Sequence, residues 1–202
     1  MSVIRSFAGM TAFVVAAYLT VAAPAKAATD ETAAAQFIEG IATQTIDILK
    51  SDMSDNDRQK ALGKLLSDNV AIKQIGRAVA GQYIRRMNKK ERARYDRMYR
   101  EWVIKQVVSR FKGYAGQGWV LKNTYRRKND VIVRTLITKS DGSDTVNCDW
   151  RVRSVKGKLL ILDVAVSGLS MAATQKSEFA AVFSKGGVSG VLAQLETQIG
   201  TD

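Results

Sequence analysis

The chain has 202 residues, with 31 Lys and Arg against 19 Asp and Glu, one Cys, one Pro and no His. Without an imidazole there is no Ser-His-Asp triad, no Cys-His dyad and no His-ligated zinc site. A chain that is 46% hydrophobic and 25% charged has the make-up of an ordinary folded domain, and its length suits a single core, alone or with one processing segment.

Arg5 is the only charge before the uncharged run from Ser6 to Ala25, which ends in Pro24 and the small-x-small triplet Ala25-Lys26-Ala27. This pattern reads as a secretory signal peptide, residues 1–27, cleaved after Ala27. The competing reading is an uncleaved anchor, since about 20 uncharged residues can just cross a bilayer, but Ala, Thr and Gly dilute the run. Residues 28–202 then form one exported domain. Cys148 alone cannot close a disulfide within the chain, so that domain must stand on its hydrophobic core.

From Thr32 to Lys50, Phe37, Ile38, Ile41, Thr45, Ile48 and Leu49 recur at steps of three and four, which is one face of an amphipathic helix. Ser54 opens a Ser-x-x-Asp pattern that caps a second helix reaching Leu66. Ile72, Ile75 and Val79 mark a short third helix, with Gly81 at its end. Asn88 and Glu91 form a capping-box variant at the head of the longest helix, in which each side chain meets backbone donors left free by the first turn. Its apolar stripe is Tyr95, Met98, Tyr99, Trp102, Val103, Val107 and Phe111, and Gly113, Gly116 and Gly118 end it.

After Gly118 the period changes from near 3.6 to 2. Trp119 to Arg127, Val131 to Lys139, Thr145 to Arg153 and Leu159 to Val166 read as four strands, joined by short turns that make neighbours antiparallel. Val146, Cys148, Trp150 and Val152 share one face of the third strand and need cover. Two helical pieces follow, near Glu178 to Ser184 and Val188 to Ile199, parted by Gly186-Gly187. A helical half followed by a strand half predicts an α+β domain with helices across one side of an antiparallel sheet.

The positive charge is local. Residues 83–134 hold 16 basic and 4 acidic side chains, whereas residues 28–82 hold 6 and 8 and residues 135–202 hold 7 and 7. Such a stretch serves as a solvated helix face, or meets an anionic membrane, an acidic partner or nucleic acid; export argues against the last. The glycines of Gly113-Tyr114-Ala115-Gly116-Gln117-Gly118 stand in the wrong order for a dinucleotide loop and precede a strand. Asp52, Asp55 and Asp57 lack the calcium-loop spacing. Asp163, a carboxylate in an apolar strand, has no second acid or nucleophile visible beside it, so a structural hydrogen bond is its simplest role. Catalytic chemistry has no positive support, and neither a catalytic residue nor a cofactor is expected.

The segments Asp163-Val164-Ala165-Val166-Ser167-Gly168-Leu169-Ser170-Met171 and Lys185-Gly186-Gly187-Val188-Ser189-Gly190-Val191-Leu192-Ala193-Gln194-Leu195, with Phe179 between them, resemble the end of the MlaC family, also called toluene-tolerance auxiliary proteins. Val79-Ala80-Gly81-Gln82-Tyr83 and the helix from Asn88 to Tyr114 resemble its middle, so the likeness runs over residues 34–199. Ser167 replaces the Glu usual in the family, and a hopanoid-associated branch is a second placement. The resemblance implies a fold similar to nuclear transport factor 2, with helices on a curved sheet of about four strands around an internal lipid cavity. It also implies a periplasmic protein, without catalysis, that carries phospholipid between an outer-membrane lipoprotein-porin complex and an inner-membrane ABC transporter bearing MCE domains, maintaining outer-membrane lipid asymmetry. A monomer is expected.

Such a carrier needs dry walls. The candidates are Trp102, Val103 and Val107 on the long helix, Leu121, Val146, Cys148, Trp150 and Val152 on strands, and Val164, Val166, Leu169 and Met171 near the last strand. Periodicity does not separate these from ordinary core. Arg92, Arg94 and Arg97 are the candidate docking residues for a membrane or an acidic partner. The alternatives are a small enzyme of the same fold with Asp163 as base, and a basic module that binds a polyanion.

Overall fold

The computed structural model describes residues 30–114, 116–138 and 145–200. The expected signal peptide, Lys139 and the turn at 141–144 lie outside these residues.

Among the described residues four helices come first: α1 Glu31–Lys50, α2 Asp55–Asn69, α3 Ile72–Ala80 and α4 Lys89–Arg110, with a 3₁₀ turn at Gly81–Arg85 between the last two. Their starts follow local chemistry. Asp30 accepts from the Ala33 amide at 2.8 Å and Ser54 from the Asp57 amide at 3.2 Å. At α4 the Glu91 amide donates to Asn88 and the Asn88 amide to Glu91, a complete capping box. Gly81 leaves α3 at φ +56, a conformation that side chains resist.

The sheet then runs in order β1 Gly118–Arg127, β2 Asp130–Thr138, β3 Thr145–Val155, β4 Lys158–Val166 and β5 Leu169–Ser170, every neighbour antiparallel. Among the described residues the sheet has five strands where about four are expected, because β5 is two residues long and its turn is compact. Ser167 and Gly168 take φ +49 and +83, the two-residue geometry that matches strand twist, as do Lys156 and Gly157 between β3 and β4. The register slips between Leu121 and Asn123 and between Arg151 and Val152, and such bulges bend a strand and raise its twist. Away from α1, Arg134 grips Asp149 through two hydrogen bonds of 2.7 and 2.8 Å. Asp130 is buried between Arg151 and Arg153; burial works to raise its pKa, but the hydrogen bonds and charges of the two guanidinium groups outweigh it and hold the carboxyl below its usual range.

The last helix, α5 Met171–Gly200, is broken at Gly187 (φ +59) as the Gly-Gly pair suggests, but its first piece begins at Met171, well before Glu178. The reason is tertiary: the Asp163 carboxylate of β4 accepts from the Ala172 amide at 3.0 Å, and Ser170 Oγ accepts from the Ala173 amide at 3.1 Å. A cap lent by another strand leaves no local motif.

Among the described residues the interior forms two cores. One joins α3, α4 and α5 through Tyr95, Met98, Tyr99, Trp102, Phe179 and Leu195, and the other packs Ala34 and Ile38 of α1 on Val131, Val133, Val152 and Ile161 of the sheet. Val70, between α2 and α3, touches both and bridges β4 at Ile161, where the Ala71 amide donates to the Ile161 carbonyl at 2.9 Å.

Candidate functional site

Between the two cores the chain leaves space unfilled. One cavity of about 280 Å³ lies under α1 against the start of β1 and Ile137 of β2, and a second of about 310 Å³ lies among α2, α4, β4 and the head of α5. Ile41, Thr45, Arg110, Phe111 and Trp150 line both, so they form two lobes of one hollow. Each lobe sits near the lower bound of small-molecule sites, roughly 300–1,000 Å³, and the pair lies within that range. Ile and Leu of α1 and α2 face Val103 and Val107 of α4 and the Val residues of β4 across a separation that the two cores set, and these side chains leave it unfilled.

The polar groups in these walls are mostly engaged by the protein itself. Trp150 Nε1 donates to Thr135 Oγ1 at 2.9 Å, and Thr135 Oγ1 donates to the Cys148 carbonyl at 3.4 Å. Tyr99 donates to Gln175 at 2.5 Å; burial, and after it the nearby Asp163 charge, pushes its pKa well up, so the phenol stays neutral. Asp163 accepts from the Val164 amide at 2.9 Å, the Ala172 amide at 3.0 Å and the Ser170 hydroxyl. Engaged polar groups need no water, which leaves an apolar lining for an apolar guest. Among the described residues no group of three or more His, Cys, Asp or Glu is placed to hold a metal ion.

Six of the twelve candidate wall residues meet here: Val103, Val107, Trp150, Val164, Val166 and Met171 line the second lobe, and Trp150 both. The other six do not line the hollow. Trp102 belongs to the helical core, its ring 5.3 Å from Phe179 and 5.7 Å from Tyr99. Val152 is buried under α1, and Leu121 packs on the same core. Cys148 is buried with its thiol pKa pushed up, by burial first and then by Asp149, which makes it inert. Val146 is half-buried near the start of β3. Leu169 is 68% exposed on the β4–β5 hairpin, pointed outward by the Ser167-Gly168 turn.

The three candidate docking residues also part company. Arg92 donates to the Ile84 and Met87 carbonyls at 3.0 and 3.2 Å, holding the turn before α4, and Arg94 pairs with Glu196 at 2.9 Å. Arg97 is exposed in a groove between α2 and α4 that also holds Lys64, Asp68 and Arg100. Among the wall residues that sequence reasoning does not assign to a cavity are Ile41 and Thr45 of α1, Leu62, Leu65 and Leu66 of α2, and Phe111. Their stripes are visible as helix faces, but a stripe does not say whether it meets another side chain or a void.

This architecture has known counterparts. The chain matches the family described as MlaC protein over residues 39–197. Its structure is similar to that of a phospholipid-binding protein from Ralstonia solanacearum solved in complex with a phospholipid, with a TM-score of 0.72, 19% sequence identity, and coverage of 82% of this chain and 96% of that one. At that identity the likeness is one of fold: helices packed on an open antiparallel sheet. The match over most of its length shows that the chain belongs to the MlaC family.

Proposed function

We propose that the protein binds phospholipid in the two-lobed hollow and carries it through the periplasm. In this reading it shuttles lipid between an outer-membrane lipoprotein-porin complex and an inner-membrane ABC transporter with MCE domains, and so maintains outer-membrane lipid asymmetry. The apolar hollow between two cores carries the proposal, and the phospholipid complex of the Ralstonia protein supports it. Exposing an acyl chain to water costs about 0.8 kcal/mol per methylene, so two ordinary chains cost on the order of 20 kcal/mol. A carrier removes that barrier by offering equally dry walls, and it needs no covalent step. Directional handover then requires the acceptor to bind the lipid more tightly than the carrier does. The uncharged N-terminal run, read as a signal peptide, would deliver the chain to the compartment where this task exists.

Intact mass measurement under native conditions, followed by lipid extraction, tests the reading directly. The purified protein should carry a phospholipid adduct, or acquire one from phosphatidylethanolamine and phosphatidylglycerol vesicles. Val107→Phe fills the second lobe from α4 and Ala42→Phe fills the first from α1, and each should lose the adduct while the melting temperature holds, because filling a void restores contacts. A wild-type protein that takes up no lipid under either condition rules the carrier out.

A further inference from the structure

We infer that Arg110 anchors the phosphate group of the bound lipid at the rim shared by both lobes; the inference rests on the carrier reading above. Arg110 is the last residue of α4 and lines both cavities. Among the described residues it is the sole cation in either lining. Several other arginines are engaged elsewhere: Arg77 on Asp96, Arg94 on Glu196, Arg134 on Asp149, and Arg92 on backbone carbonyls.

Arg110 has no such partner among the described residues. Among the described residues the one carboxylate in the linings, Asp163, belongs to the second lobe alone and is held by three donors at the head of α5. The negative end of the α4 dipole accounts for a cation in the last turn. It does not account for placing that cation where two apolar lobes meet. Arg110 is an exposed residue that nonetheless lines both apolar lobes, a position that lets an arginine lay its methylenes on apolar surface and keep its head in water. A lipid with its tails in the lobes brings its one obligatory anion to the same rim. The planar fork of five donors then meets phosphate oxygens two at a time, which a single ammonium does not do. Gln106, one turn earlier on the same face of α4, extends the polar rim along the second lobe.

The chemistry recognised is a phosphate, from a lipid headgroup or free in solution, and the experiment separates the two. The delipidated protein is titrated, by Trp119 and Trp150 fluorescence, with dioctanoyl phosphatidylglycerol, with dioctanoylglycerol bearing the same tails, and with millimolar inorganic phosphate. The wild type should prefer the phospholipid over the neutral lipid by about tenfold, the size of one charge-assisted contact. Arg110→Ala should erase that preference while keeping the affinity for dioctanoylglycerol, and Arg110→Lys should restore part of it. Lys112→Ala, an exposed cation outside both linings, should keep the preference. Arg110→Ala that still discriminates overturns the anchor and leaves the carrier reading standing. Inorganic phosphate that competes as well as the lipid does makes this a free-phosphate site and also overturns it. A wild type that binds neither lipid removes the carrier reading and the anchor together.

Discussion

Asp163 sits among Val164, Ile161 and Val166 in β4, and a buried-looking carboxylate in an apolar strand invites a catalytic reading. Its geometry assigns it other work. Both carboxylate oxygens accept hydrogen bonds, one from the Val164 and Ala172 amides and one from the Ser170 hydroxyl, so the group closes the β4–β5 hairpin and caps α5 at once. Removing an N-terminal cap costs about 1–2 kcal/mol. Asp163→Ala should therefore lower the unfolding free energy by about that amount and fray the first turn of α5, read as faster amide exchange at Ala172 and Ala173. Unchanged exchange at those two amides would deny the capping role.

At the scale of elements, the helical core depends on how closely α3 approaches α4. A Cβ on Gly76 would stand 2.5 Å from Tyr99 Cδ1 and 2.9 Å from Cε1, closer than side chains tolerate. The Tyr99 ring is held in place, with Trp102 and Phe179 at 5.7 and 5.8 Å and its hydroxyl tied to Gln175, so a shift toward the second lobe that it borders gives up these contacts. Tyr95 fixes the same spot by donating to the Gly76 carbonyl at 2.8 Å. Two effects oppose each other in Gly76→Ala: a helix-propensity gain of up to about 1 kcal/mol and an overpacking loss of about 1–3 kcal/mol. The loss should win, because the contact is with a locked ring and not with the end of a flexible chain. Denaturant unfolding should show a lower midpoint at unchanged slope; a higher midpoint would mean that α3 can shift away from α4 freely.

Over the whole molecule, the central block of positive charge divides into fixed and available parts. Arg92 holds the turn before α4, Arg77 and Lys73 hold Asp96, and Arg94 ties α4 to α5, so these charges serve the fold. Arg97 remains exposed and forms no ion pair among the described residues, on the α4 surface facing α2. For a carrier that must find an anionic membrane or an acidic acceptor, we propose that surface as the docking face. Arg97→Glu should slow association with anionic vesicles or the acceptor complex, and the difference from wild type should vanish near 1 M salt, where screening acts within about 3 Å. Arg92→Glu should instead lower stability, since it strips two carbonyls of their donor. Equal association of the Arg97 variant and wild type at low salt would remove α4 from the docking face.

Much of this architecture is written in short-range patterns, and those are what the sequence alone determined. Capping chemistry at Ser54 and Asn88 starts α2 and α4, the change of period after Gly118 starts the sheet, and the glycines at 186 and 187 break α5, because each depends on neighbours a few residues away. The segments at 163–171 and 185–195 carry the family likeness for the same reason: the residues are adjacent in the chain. The tertiary structure decided what lies between the elements. The early start of α5 depends on Asp163 from another strand, and Trp102 and Val103, neighbours on one helix that pack on the same core, part because Trp102 is buried within it while Val103, at its edge, lines the hollow. Whether an apolar stripe meets side chains or a void is a property of the distance between elements. That distance is set by the two cores and by Val70 that joins them, and no periodicity within one element contains it.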